Sequence, residues 1–63
     1  MKTELRKKVK RASNLIKAND MLTALINAMK KSDKQGLEIN QYYLNNCIKR
    51  QAKIESELES MLN

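Results

Sequence analysis

Ser32-Asp33-Lys34-Gln35-Gly36 (SDKQG) is the only turn-like cluster in the chain, and it separates two stretches that both read as helix. Gly36 is the sole glycine, hence the residue best suited to a left-handed backbone position. Lys30 and Lys31 would sit favourably in the last turn before it, facing the negative end of the helix dipole. Beyond it Leu37–Ile39 reads as extended and Asn40 as the N-cap of a second helix. Ile39 before that cap and Leu44 after it occupy the positions of a hydrophobic staple. The turn therefore predicts an all-α fold: a long helical hairpin with a helix over about 3–31, a turn over 32–39 and a helix over about 40–62, in a single domain spanning 1–63.

The remaining composition agrees with helix. Proline is absent, and Leu, Ala, Lys, Glu, Gln and Met fill the chain. In the second stretch Leu44, Cys47/Ile48, Gln51, Ile54, Leu58 and Met61/Leu62 repeat at three–four spacing, as in a coiled-coil seam. Gln51 interrupts that seam, either as a tolerated edge residue or as a specifier of register across an interface. Glu55 falls close to the seam and would need a cationic neighbour if buried. Tyr43 points nearer the seam than Tyr42 and is expected in the core.

The first stretch carries two apolar stripes. Leu5, Val9, Ala12 and Ile16 share one face. Leu22, Leu25, Ile26 and Met29, continued backward by Leu15 and Ala18, share another, rotated by about 100° on ideal geometry. Either Asn19 or Asp20 caps a new helix after a break, or one long helix has a seam that changes partner. A single hairpin cannot bury both stripes, and sixty-three residues make a marginal core. Cys47 is the lone cysteine and histidine is absent, which excludes an internal disulfide and a Cys/His metal site. Association of copies is the remaining staple, so a homodimer forming a four-helix bundle is expected.

Charge is the second organising feature. Lys2, Arg6, Lys7, Lys8, Lys10, Arg11 and Lys17 lie within the first eighteen residues against one acid, Glu4. Bases and acids cancel from Asn19 onward, so the whole net charge of +6 resides at the start of the chain. Arg6, Lys10 and Lys17 line one flank of the helix, with Ser13 and Asn14 in the gap; Lys7 and Arg11 lie further round, and Lys8 sits on the other side. Bases near a helix start oppose its dipole, which a chain selected for stability alone would avoid. If Lys31 faces Asn40, then Glu55, Glu57 and Glu59 run beside Ile16, Asn14 and Ala12, and bases before Lys8 extend past the second helix.

Four uses of the basic stretch compete: a solvated face, a nucleic-acid surface, an anionic membrane surface and an acidic protein partner. The apolar stripe beside it is thin and lacks aromatic anchors, which disfavours the membrane. No run reaches ~18 apolar residues, and no apolar segment follows the basic start as in a signal peptide. Lys and Arg on a helix neutralise phosphates and release counterions. On the second helix Tyr42, Asn46, Lys49 and Lys53 recur opposite the seam, an exposed ring beside amides and bases that could stack on a nucleobase. The expectation is nucleic-acid binding, RNA before DNA, through Arg6, Lys7, Lys10, Arg11 and Lys17, extended by Tyr42, Lys49 and Lys53. The alternative is a module that occupies an acidic groove on a host protein. Catalysis lacks material: the acids are scattered, Cys47 is placed in the seam, and there is no glycine-rich phosphate loop. Neither an enzyme nor a cofactor is expected. The free thiol suits a reducing cytoplasm, and the richness in Lys and Asn is common in phages and other AT-rich genomes.

No helix-turn-helix, zinc-finger or basic-zipper pattern is present. In plan, a dimer of such hairpins resembles Rop, the plasmid RNA-binding four-helix bundle; positions do not align, so no functional residue carries over. In size, charge and composition the chain is also similar to TifA-like phage RNA-binding inhibitors of an RNA antitoxin, with no motif to quote. That resemblance implies cytoplasmic RNA binding by a homodimer.

Overall fold

The structure, a computed structural model, describes residues 2–62. Helix α1 (Thr3–Lys34) and helix α2 (Gln41–Leu62) fold back on one another as an antiparallel hairpin 52 Å long and about 15 Å across its other two axes. Helix α1 begins weakly. Lys2 at its N-cap is extended and makes no side-chain cap bond, and Glu4 is the acid in the first turn. The helix runs unbroken through Asn19 and Asp20, which selects the long-helix alternative. No Gly or Pro interrupts this stretch, Asn19 is half-buried, and its carbonyl accepts a bond from the Thr23 hydroxyl at 2.9 Å.

Helix α1 ends at Lys34, three residues beyond the expected boundary. The amide of Gly36 donates to Asp33 O and that of Leu37 to Ser32 O, both at 3.0 Å, closing the helix in a Schellman motif. This pairing needs a left-handed residue at Gly36, whose φ is 78°, so the helix continues to Lys34 with Gln35 as its C-cap. No heavy atom lies within 4 Å of where a Gly36 Cβ would sit, so a side chain there meets backbone strain and no clash. Gly36→Ala should therefore cost about 1–2 kcal/mol, lowering the thermal midpoint by about 4–8 °C per kcal/mol. Gly36→Asn should cost less, because asparagine tolerates this region. Circular dichroism melts of the two variants compare them directly, and equal melting of Gly36→Ala and the parent would remove the motif as the reason for the turn.

The start of α2 forms as its residues predict. Asn40 Oδ1 accepts the Tyr43 amide at 3.0 Å, and Ile39 packs against the cluster that contains Leu44. The core is small: Ile26, Leu44, Cys47 and Ile54 are buried, and Leu22, Met29 and Ile39 pack against the first three of these. Midway along the hairpin half-buried Gln51 donates to Thr23 Oγ1 at 2.5 Å, so the polar interruption in the seam links the two helices. At the open end Arg11 hydrogen-bonds Glu57. Both contacts agree with a pairing of Lys31 beside Asn40 to within one helical turn.

Several expectations fail at the seam's margins. Leu25 (37% exposed) and Tyr43 (48%) lie outside the core; at the paired seam positions Cys47 is buried and Met61 half-buried, while Ile48 and Leu62 are the exposed members. Two helices share only a narrow line of contact, so a residue one step off that line faces solvent. Glu55 is exposed and needs no partner, whereas Glu57 is the half-buried acid and takes Arg11. The reach of α2 also differs: Leu5 shares a groove with Met61 and Leu62, so the last turn of α2 flanks α1 almost to its start.

Candidate nucleic-acid interface

The helix that carries the net charge also projects it outward. Every base from Lys2 to Lys17 is exposed. On ideal helix geometry Arg6, Lys10 and Lys17 lie on the edge of α1 remote from α2, and Lys7 lies between them and Arg11. The rise from Arg6 to Lys17 is about 16 Å at 1.5 Å per residue. Along a nucleic-acid duplex that length spans several phosphates of one strand, which recur about every 3.4 Å.

Lys7, Lys10, Arg11 and Asn14 surround a shallow, open depression of 490 Å³ whose apolar wall is Leu15. Three of the expected basic residues are thus brought together with an amide that can donate or accept. Arg11 differs from its neighbours because Glu57 holds its guanidinium. With side chains 64% and 36% exposed, the pair is an open surface contact worth at most about 1 kcal/mol. Its firmer effect is on direction: Arg11 is committed to the hairpin, leaving Arg6, Lys7, Lys10 and Lys17 as the freer cations of the group.

Residues on α2 fall into two positions. Lys49 and Lys53 are exposed on the outer side of the helix. Tyr42 is 77% exposed but sits in the first turn of α2, at the closed end of the 52 Å rod, whereas Arg6 is at the open end. The hairpin does not bring the ring to the basic cluster. Tyr42 could serve only a ligand that runs most of the length of the molecule.

Two further basic residues border grooves. Arg50 borders a second groove, of 420 Å³, with Ala18, Met21, Leu22 and Leu25. Arg50 falls outside the Tyr42–Asn46–Lys49–Lys53 repeat, and its closeness to the flank of the α2 seam is the signal in the sequence for this place. Lys8 lines the apolar groove at the open end, away from the other bases, in keeping with its place on the opposite side of the wheel. Among the described residues no helix is long and apolar enough to cross a membrane. Comparison with family models, with curated proteins and with solved structures gives no match, so the local chemistry stands by itself.

Proposed function

We propose that the protein binds RNA, or nucleic acid more broadly, with the outer edge of α1 as its phosphate-binding surface. The observation that carries this reading is that the entire net charge of +6 lies in the first eighteen residues and that all seven bases there are exposed. Phosphates are the partners such a surface serves best, because each one neutralised releases condensed counterions. Arg6, Lys7, Lys10 and Lys17 take the phosphates, Arg11 contributes from its pair with Glu57, and Lys49 and Lys53 extend the surface on α2. RNA is preferred to DNA because no element carries the pattern of a major-groove reader, whereas contacts to backbone and shape suffice for structured RNA. The likeness in size and charge to TifA-like RNA-binding inhibitors points the same way. A cytoplasmic site of action belongs to the same proposal.

The first test is what the protein carries out of the cell. Purified at low salt, it should bring nucleic acid with it, seen as a high 260/280 nm absorbance ratio that RNase abolishes. Two tyrosines and no tryptophan give the chain little absorbance of its own, so the signal is easily read. Removal by DNase alone would move the proposal to DNA. Clean protein that captures an acidic protein in place of nucleic acid would transfer the surface to the competing reading, a module seated in an acidic groove.

A further inference from the structure

At the open end of the hairpin an apolar groove of 420 Å³ runs between the helices. Leu5, Val9, Ala12 and Ile16 form one wall, and Leu58, Met61 and Leu62 form the other. Lys8 is the one charged residue that borders it. Leu5, Val9 and Ile16 are each at least half exposed, and Leu62 is 88% exposed. We infer that this groove is the seat of a second copy of the same chain, which packs there with its own matching groove to make a symmetric four-helix dimer.

Area supports a protein occupant of this size. The chain exposes 5518 Å². A compact monomer of its mass would expose about 4,200 Å², leaving an excess of about 1,300 Å². A stable interface removes about 800 Å² from each partner, so one interface per copy would account for most of that excess. Shape supports a helix in the groove. The wall spacing of four, three and four along α1 is the ridge pattern that packs against another helix, and Ala12 at its centre permits close approach.

Charge selects the same chain over other occupants. Two copies of net charge +6 repel, so they can join only through a face clear of bases. Of the seven bases in the first eighteen residues, Lys8 alone borders this groove, and its long stem can lie along apolar surface while its ammonium reaches water. Arg6, Lys10 and Lys17 fall about a quarter turn away from Ile16 on ideal geometry, so they rim the dimer and stay available. Phosphates find no cation set on the groove floor. An isologous contact also closes on itself and ends the assembly at two. The inference does not depend on RNA binding: the apolar face needs cover whatever the basic edge holds.

Sedimentation equilibrium at tens of micromolar, in 0.5 M salt after nuclease treatment, tests it. The parent should sediment at twice 7.3 kDa. Val9→Glu should sediment as the single chain. Leu62→Glu is the second variant, because a residue so exposed supports little of the hairpin; it should raise the dimer dissociation constant at least tenfold with the helical signal kept. Met21→Glu, on the other flank of α1, should leave the dimer intact. A parent that sediments at 7.3 kDa would overturn the inference. So would a particle larger than two chains, or a dimer broken by Met21→Glu and untouched by Leu62→Glu.

Discussion

Ile26→Ala is expected to leave a large fraction of the molecules unfolded at 25 °C. Ile26 is 4% exposed and forms the centre of the cluster with Leu44 and Cys47. Truncating a buried isoleucine to alanine costs about 2–5 kcal/mol, as lost transfer free energy plus the cavity left behind. At about 0.05–0.15 kcal/mol per residue, a chain of this length has only about 3–9 kcal/mol in total. The substitution thus removes about a fifth of the stability at the least and can exceed it. Leu25→Ala, one residue away, is the control: Leu25 is 37% exposed and borders an open groove, so its loss should cost much less. Urea unfolding followed at 222 nm gives both values. Equal midpoints for the two variants would mean that the rotation of α1 against α2 is wrong. The measurement should hold protein concentration constant, because a chain that dimerises gains stability by mass action.

The second large effect is on binding. Reversing Arg6 and Lys10 to Glu should weaken association with RNA by about a hundredfold or more at physiological salt. Each phosphate neutralised on a duplex adds about 0.9 to the slope of log K against log salt, and on a single strand about 0.7. At 0.15 M salt that release is worth about 1 kcal/mol per contact, so two lost contacts account for about thirtyfold. The new carboxylates then repel the phosphates they face and supply the rest. The slope should flatten by about two in the same experiment. Lys10 and Arg11 would make a poorer pair, since Arg11→Glu would set a carboxylate against Glu57 and loosen the hairpin itself. Reversal at Lys30 and Lys31, near the closed end, is the matched control for net charge and should do much less. Equal losses from both pairs would leave only diffuse attraction and no defined surface. No loss from either would end the nucleic-acid reading.

Much of the fold is legible in individual residues. Gly36 marks the turn because a left-handed position excludes most side chains, and that argument needs no knowledge of the partner helix. Asn40 and Ile39 announce the start of α2 because capping and stapling act within one turn. The cluster of bases in the first eighteen residues marks an exposed edge of α1, since the bases are too many to bury. The continuity of α1 through Asn19 and Asp20 was legible in part: both are good caps, but a single long helix is the reading the sequence favours and the one the structure has.

What the sequence determined by itself was therefore everything carried by short-range chemistry: two helices, the turn between them, the caps and the basic edge. Only the tertiary structure decided which side chains became neighbours. Periodicity gives each residue an angle around its own helix, but exposure depends on how far each helix is rotated toward the other. That rotation is settled by packing summed along both helices, and no single residue reveals it. It placed Leu25 and Tyr43 outside the core, drew Arg11 to Glu57, and set Leu58, Met61 and Leu62 as the second wall of the groove that α1 begins.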